Sequence, residues 1–211
     1  MDWSAMLLLG AYHGVNPAMG WLFAVALGMQ QGSFRGIWHA LPALALGHAV
    51  SVAVVLLMAV LAEAVLPSHL VRAAAAALLI AMGMYRLWRH RHPRYGGMQV
   101  GFRHLAMWSF LMASAHGAGL MVVPFALGFS DPVSAASAGH VAHLPTPDAN
   151  ATTAGAVALA IHTGSYFAVM AAVAWIVYSN VGLAFLRTAW FDMDRVWACS
   201  LLITGSVVLV W

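Results

Sequence analysis

Residues 6–29 read MLLLGAYHGVNPAMGWLFAVALGM, an apolar run that is interrupted only by the polar stretch from His13 to Pro17. A helix that crosses a bilayer needs about 20 apolar residues, so this run is long enough to span a membrane. A cleavable signal peptide has a basic start and a shorter apolar core, whereas this chain has Asp2 before a longer run. We therefore interpret residues 6–29 as the first membrane span.

Five further apolar runs follow along the chain, separated by charged residues or by residues typical of turns. None of the connections is long or polar enough to form a separate soluble domain. The sequence thus predicts an all-α, polytopic membrane protein with six transmembrane helices, in which residues 1–211 form a single integral membrane domain. The predicted spans are Met6–Met29, Ile37–Ala62, Leu70–Trp88, Leu105–Phe129, Ala154–Tyr178 and Ala189–Trp211.

The composition favours the same fold class, because 63% of the 211 residues are hydrophobic and only 7% are charged. Soluble domains carry about 25% charged residues, so this chain lacks the polar residues for a water-exposed surface. A soluble enzyme, a disordered chain and a nucleic-acid-binding domain are excluded on this ground, although the formal net charge is +3. The single cysteine, Cys199, also excludes an internal disulfide and a cysteine-based zinc site.

The placement of the arginines predicts the orientation of the spans. Five arginines crowd the third connection, and the positive-inside rule puts such a segment in the cytoplasm. With six spans, both termini then lie outside, and only Arg72 of the nine arginines lies outside with them. This pattern predicts an integral protein of the bacterial inner membrane. The five arginines are Arg86, Arg89, Arg91, Arg94 and Arg103.

Two short motifs occur once in each half of the chain. The first span contains His13-Gly14 and the fourth contains His116-Gly117, while a His-x-x-Ser pattern begins at His48 in the second span and at His162 in the fifth. An odd number of spans per half forces the halves into opposite orientations, so the motifs predict a 3+3 inverted repeat, as in many secondary transporters. The half-repeats cover about 1–95 and 104–211 and are joined by an Arg/His-rich cytoplasmic connection.

Four of the eleven histidines lie near the middle of predicted spans. An ionisable side chain at that depth is unfavourable unless it faces the interior of the bundle, which makes it a candidate for function. Neutral imidazole is a common ligand of transition metals. We therefore predict a shared midplane site for a metal or another substrate, formed by His13, His48, His116 and His162. The alternative is that each imidazole only bonds a neighbouring helix, with Ser51 or Ser165 as its partner.

The residues after His13 predict a break in the first helix beside this site. Proline removes one helical hydrogen bond, so Asn16-Pro17 is expected to free the carbonyl of His13. Broken helices with free backbone groups line the midplane sites of transporters. Met19 and Met121 follow the two His-Gly motifs and are further candidate ligands, which would favour Cu(I).

A second candidate site lies in the fourth connection, which is predicted to be external. His140 and His143 are spaced as His-x-x-His there, with Asp131 and Asp148 nearby. Imidazole and carboxylate groups in this arrangement predict an outer-loop patch that captures metal ions. The alternative interpretation is a solvated, flexible loop.

The first two spans resemble a known family. The stretch GAYHGVNPAMG at residues 10–20 and the stretch LGHAVS at residues 46–51 are similar to the lysine-exporter superfamily of small 3+3 membrane proteins, and most similar to its nickel/cobalt-efflux and sulfite-exporter-like branches. The resemblance implies a transporter of a metal cation or small solute, with His13 and His48 in its pathway. The chain departs from the metal-efflux members at Asn16-Pro17, where those members carry acidic or further histidine residues. This departure argues against nickel or cobalt and leaves the substrate open.

The sequence therefore predicts a membrane transporter for a small solute, with a transition-metal cation (nickel, cobalt, copper or zinc) as the candidate substrate. One alternative is a subunit of a membrane redox complex whose histidines ligate haem. Another is an intramembrane metal-dependent enzyme, which is disfavoured because all six acidic residues lie near span ends or in loops. The expected partners are the lipid bilayer, the transported solute and either a second copy of the chain or another membrane subunit.

Overall fold

The computed structural model of the protein describes residues 3–88, 101–126, 149–181 and 186–210. Within these ranges the chain is helical and contains no strand, in agreement with the predicted all-α class. A 3-10 turn at Pro17–Met19 follows the first helix, and a π-helical turn at Val177–Val181 follows the seventh. The α-helices are α1 (Trp3–Val15), α2 (Trp21–Gln30), α3 (Phe34–Val65), α4 (Ser68–Trp88), α5 (Phe102–Ala115), α6 (Ala118–Ala126), α7 (Ala149–Ile176) and α8 (Leu186–Val210).

Two of the predicted segments lie outside the described residues. One is most of the connection between α4 and α5, and the other is the segment between α6 and α7. The orientation of the chain and the outer-loop metal patch therefore stay predictions from the sequence. The residues concerned are Arg89, Arg91, Arg94, Asp131, His140, His143 and Asp148.

Three helices of the described chain are long and apolar enough to cross a membrane, namely α3, α4 and the segment Gly155–Asn180 that begins in α7. The pair α5 and α6 passes the same test together but is bent by 63° at the break between them. The described residues thus contain three spanning helices, or four if the bent pair counts as one span. This content of long apolar helices is compatible with an integral membrane protein.

The first predicted span is broken, and three residues explain the break: Asn16, Pro17 and Gly20. Asn16 leaves the helix with φ −69° and ψ 120°, and its side-chain oxygen accepts a hydrogen bond from the amide of Ala18 at 2.9 Å. Pro17 has no amide hydrogen and begins the 3-10 turn, where that donor is not needed. Gly20 then adopts φ 134°, a value that favours glycine, before α2 begins.

The break frees other carbonyls than the one expected. The prediction for His13 was wrong, because its carbonyl accepts the amide of Asn16 at 3.2 Å. The carbonyl of Val15 accepts the Trp21 indole Nε1–H at 2.9 Å instead. The carbonyl of Met19 accepts the hydroxyl of Tyr166, from α7, at 2.6 Å. Side chains therefore satisfy the backbone groups that the broken helix leaves without a helical partner.

The fourth predicted span is also broken, which the sequence interpretation missed. α5 ends at Ala115, and Gly117 has φ 71° before α6 begins at Ala118. A glycine in the left-handed region just after a helix is a common way to end it. The two breaks follow His13-Gly14 and occur at His116-Gly117, so each His-Gly motif marks a helix end.

The long helices pair between the two halves of the chain: α1 packs along α7, α3 along α5, and α4 along α8. Small residues at these contacts let the helix backbones approach closely, as is usual in membrane proteins. At Gly14, for example, an added Cβ would lie 2.7 Å from the carbonyl oxygen of Tyr166. This packing buries His13, His48 and His162 at the centre of the bundle.

Candidate functional site: a buried histidine cluster

Three of the four predicted histidines form one cluster. His13 comes from α1, His48 from α3 and His162 from α7, and each is 0% exposed. The ring centroid of His13 lies 5.4 Å from that of His48 and 5.1 Å from that of His162, while His48 and His162 are 5.4 Å apart. The three imidazoles thus form a nearly equilateral triangle, which we call the histidine cluster.

One ring of the cluster has a defined tautomer. The Nδ1 atom of His13 lies 2.5 Å from the carbonyl oxygen of Leu9, and a carbonyl only accepts, so Nδ1 carries the hydrogen. In neutral imidazole the other nitrogen then has a lone pair. This Nε2 atom is buried and has no hydrogen-bond partner. His13 therefore presents an unused electron-pair donor inside the protein.

The other two rings face each other. The Nε2 atoms of His48 and His162 are 3.2 Å apart, and one of them must carry a hydrogen if they form a hydrogen bond. The Nδ1 atom of His48 is buried without a hydrogen-bond partner, and His162 interacts with the backbone of Met6. A buried polar atom without a partner destabilises a protein by about 1–3 kcal/mol. Several such atoms in one cluster indicate a site that is built to contact something other than its neighbours.

Aromatic side chains enclose the cluster. Tyr166 stacks on His48 with ring centroids 4.0 Å apart and an interplanar angle of 15°. Trp197 meets His13 edge to face at 5.0 Å and stacks on Tyr12 at 5.0 Å. The hydroxyl of Tyr12 in turn bonds that of Ser200 at 2.5 Å.

The sequence interpretation missed these aromatic residues. Tyr166 is four residues after His162, so both lie on one face of a helix, and that spacing could have identified it. Trp197 lies well inside the sixth predicted span rather than at its end, where an interfacial anchor belongs.

The fourth predicted histidine, His116, lies near the cluster and interacts electrostatically with His13. Trp197 stands next to both, since its ring is 5.0 Å from that of His13 and 5.6 Å from that of His116. The indole Nε1–H donates to the backbone carbonyl of His116 at 2.9 Å. The Nδ1 atom of His116 lies 2.7 Å from the Met112 carbonyl, and Arg86 places its guanidinium 3.0 Å from the Ala115 carbonyl. Arg86 is thus a neighbour of His116, with one guanidinium nitrogen 3.4 Å from the Nδ1 atom of His116.

The predicted serine partners do not contact the histidines. The Ser51 hydroxyl is 2.9 Å from that of Ser114, and Ser165 donates to the carbonyl of Leu7 at 2.7 Å. These bonds contradict the interpretation in which Ser51 or Ser165 satisfies an imidazole. Both serines therefore join helices together rather than line the site.

The remaining supporting residues act through the backbone. Asn16 and Pro17 form the break described above, which begins three residues after His13. Met19 is 1% exposed and is linked to the cluster through Tyr166, whose hydroxyl bonds its carbonyl. Met121 is 2% exposed and lies in α6, in the same apolar core.

The donor set of the cluster is made of neutral nitrogens. Within the described ranges, no group of three or more His, Cys, Asp or Glu side chains is already arranged to hold a metal ion. The ring planes of His48 and His162 differ by only 15°, whereas His13 crosses them at 62° and 72°. The three donors therefore do not converge on one point in this arrangement. Glu63 is on the same helix as His48, but about 22 Å further along it.

Haem does not fit this geometry. Two imidazoles on opposite faces of a haem iron need their Nε2 atoms about 4 Å apart, with the porphyrin plane between them. The Nε2 atoms of His48 and His162 are only 3.2 Å apart, and His13 and Tyr166 occupy the space beside them.

Comparisons with protein-family models, with curated proteins and with solved structures give no match to this chain.

Proposed function

We propose that the protein is a membrane transporter for a small solute, that a transition-metal cation is this solute, and that the histidine cluster binds it during transport. The observation that carries the proposal is the triangle of three fully buried imidazoles with unused nitrogen atoms. Intramembrane ionisable residues that face a bundle interior commonly mark a substrate pathway. Imidazole nitrogen suits zinc, copper and nickel, whereas magnesium and calcium prefer oxygen.

The distances in the cluster support a metal ligand set. Metal–nitrogen bonds of about 2.0–2.1 Å at a tetrahedral angle put two ligand nitrogens about 3.3 Å apart. The Nε2 atoms of His48 and His162 are 3.2 Å apart. The bond from His13 Nδ1 to the Leu9 carbonyl is also typical of metal-binding histidines, because it fixes the tautomer and directs the other nitrogen to the metal.

The donor atoms of the cluster do not converge on one point, and this arrangement is consistent with transport. A pathway site must bind its ion well enough to admit it and weakly enough to release it. Here His13 must turn relative to His48 and His162 before all three donors meet one ion. A resident cofactor would favour a rigid, closed ligand set, whereas a transported ion benefits from ligands that are completed only in transit.

The helix packing supports the six-span, 3+3 architecture within this proposal. The first helix of each half packs on the second helix of the other half, since α1 contacts α7 and α5 contacts α3. The third helices, α4 and α8, pack on each other. A two-fold relation between the halves generates these reciprocal pairs. Inverted repeats of this kind move against each other to expose a central site alternately on the two sides of a membrane.

The contact between α4 and α8 repeats this relation residue by residue. A Cβ on Gly83 would meet the Leu202 side chain at 2.8 Å and the Ala198 carbonyl at 3.1 Å. A Cβ on Gly205 would meet the Ile80 side chain at 2.8 Å and the carbonyl one turn earlier, on Ala76, at 3.0 Å. Gly205, Leu202 and Ala198 each lie 122 positions after their counterparts in the first half, which are Gly83, Ile80 and Ala76. This correspondence supports the repeat.

The proposal keeps the orientation and setting that the sequence predicts. The arginines favour a bacterial inner membrane with both termini outside the cytoplasm. The resemblance of residues 10–51 to the lysine-exporter superfamily agrees with a small transporter. The expected second copy or partner subunit remains part of the proposal.

A transport assay tests this function. The full chain is reconstituted in lipid vesicles that contain a metal-sensitive dye, and the uptake of Zn²⁺, Ni²⁺, Co²⁺ and Cu⁺ is measured for the native protein, His48→Gln and His69→Gln. His48 belongs to the cluster, whereas His69 is exposed at the start of α4 and serves as the control. We expect uptake of at least one ion, at least tenfold slower in His48→Gln and unchanged in His69→Gln. Equal uptake by both variants, or no uptake above empty vesicles, would contradict the proposal.

A further inference from the structure

A cleft opens at one end of the bundle, away from the histidine cluster. It has a volume of about 230 Å³ and lies between the end of α2 and the beginnings of α3 and α5. Gln31 and His39 supply its polar groups. The exposed residues Arg35 and Arg103 flank the same helix ends, so the cleft is at a polar end of the bundle.

A stripe of one helix connects this cleft with the cluster. Gly36 and Ala40 line the cleft, and Leu44 and His48 follow at intervals of four residues along α3. Residues at that spacing lie on one face of a helix, about 6 Å apart along its axis. The cluster is therefore about 12 Å from the floor of the cleft at Ala40.

The helix α5 forms the other wall of this connection. Leu105 lines the cleft, and Ser109 is one turn further into the bundle. The hydroxyl of Ser109 donates to the backbone carbonyl of Leu44 at 2.7 Å, and both residues are buried. The contact between α3 and α5 thus runs from the cleft towards the cluster, and we call the line along this contact the crease.

Leu44 stands at the crease, one turn of α3 beyond Ala40. Leu44 is 0% exposed, and one of its methyl groups lies 2.9 Å from where a Cβ on Gly20 would be. Gly20 belongs to the break after α1, and the preceding carbonyl, on Met19, is held by Tyr166, which stacks on His48. Leu44 therefore packs between the broken helix and α5, with the cleft on one side and the cluster on the other.

We propose that the cleft is the mouth through which the transition-metal cation reaches the histidine cluster, and that Leu44 is the plug between them. This inference rests on the proposed function. Liquid water occupies about 30 Å³ per molecule, so the cleft has room for a cation with about six waters. In the cleft the imidazole of His39 replaces one water ligand of the cation. Movement of Leu44 then opens the crease, so that the cation reaches the histidine cluster.

The first experiment tests the plug without any metal. In a Cys199→Ser background, Ser109→Cys introduces one thiol beside Leu44, and its reaction rate with a small charged thiosulfonate is measured. Leu44→Ala is expected to raise this rate at least tenfold. The control is Leu79→Ala, the same truncation of a leucine that is also 0% exposed, in α4, and it is expected to leave the rate unchanged. Equal rates in the two variants would overturn the assignment of Leu44.

The second experiment tests the mouth. Phe102→Cys places a thiol at the exposed rim of the cleft, and Gln30→Cys places one on the exposed end of α2 outside it. A bulky thiol reagent on Phe102→Cys is expected to slow metal uptake at least tenfold, and the same reagent on Gln30→Cys to leave it unchanged. Normal uptake after complete modification of Phe102→Cys overturns the route. Absence of uptake in the unmodified protein would instead contradict the transporter proposal. In that case the reaction rates of the thiol in Ser109→Cys still test whether the cleft connects to the cluster.

Discussion

Replacing Gly14 with alanine places a methyl group where α1 crosses α7, next to the histidine cluster. The new Cβ would lie 2.7 Å from the carbonyl oxygen of Tyr166 and 3.0 Å from the amide nitrogen of Met170. Both atoms belong to a helix backbone, which cannot turn aside as a side chain can. Ordinary van der Waals contacts of a Cβ begin near 3.4 Å, so the two helices must separate by about 0.7 Å.

The free energy of unfolding that is lost through this separation can be estimated. Insertion of a methyl group into a packed core destabilises a protein by about 1–3 kcal/mol. Alanine recovers up to about 1 kcal/mol, because it is a better helix former than glycine. Because the clash is with backbone atoms, the upper part of the first range, about 2–3 kcal/mol, applies, and the expected loss at Gly14 is about 1–2 kcal/mol. The same movement draws His13 away from His162, whose rings are 5.1 Å apart, and should weaken metal binding together with stability.

Thermal unfolding in a mild detergent, followed by circular dichroism, measures this loss. For a chain of this size, a loss of 1 kcal/mol lowers Tm by about 2–4 °C, so Gly14→Ala should unfold about 2–8 °C below the native protein. Gly164→Ala is the matched control, because a Cβ at that position of α7 has nothing within 4 Å. Its Tm should equal or exceed that of the native protein. A Gly14→Ala protein as stable as Gly164→Ala would refute this account of the α1–α7 contact.

Three further predictions use the same unfolding assay. Asn16→Ala removes the side-chain acceptor that caps the 3-10 turn and should destabilise by about 1 kcal/mol, while Asn16→Ser should retain most of that energy. Tyr166→Phe leaves the Met19 carbonyl buried without its hydroxyl donor and should destabilise by about 1–3 kcal/mol; an unchanged Tm would show that this bond does not hold the break. Gly83→Ala and Gly205→Ala should lower Tm by similar amounts, because each Cβ meets equivalent atoms of the facing helix, and a loss at only one of them would argue against the two-fold packing.

The structure brings three of the four predicted histidines into one cluster, and it places Trp197 against both His13 and His116. Intramembrane depth and the repeated motifs were sufficient for His13, His48 and His162, because α1, α3 and α7 all meet at the centre. His116 has the same motif as His13, but α5 ends just before it and Trp197 from α8 stands beside it. A local motif carries no information about how a distant helix packs, so it could not reveal the position of Trp197 beside His116.

Of the two helix breaks described above, the sequence predicted the first and missed the second. Asn16-Pro17 identified the first break, because proline removes a hydrogen bond wherever it stands in a helix interior. Proline alone does not decide where a helix ends, because α3 and α6 continue through Pro42 and Pro124. The second break instead depends on Gly117, whose left-handed conformation is one of several that glycine adopts equally well. Hydrogen bonds from neighbouring helices decide between these outcomes.

The central claim is that His13, His48 and His162 bind one transition-metal ion and that His116 does not. Calorimetric titration of the detergent-purified full chain with Zn²⁺, Ni²⁺, Co²⁺ and Ag⁺, the last as a stable substitute for Cu⁺, tests it directly. Loss of an outer partner of a metal ligand already weakens affinity by about 10–100-fold, so loss of a ligand should weaken it at least as much. We predict one bound ion in the native protein, an affinity at least 100-fold weaker in each of His13→Gln, His48→Gln and His162→Gln, and near-native affinity in His116→Gln. Native affinity in the three cluster variants, or a loss confined to His116→Gln, would contradict the account.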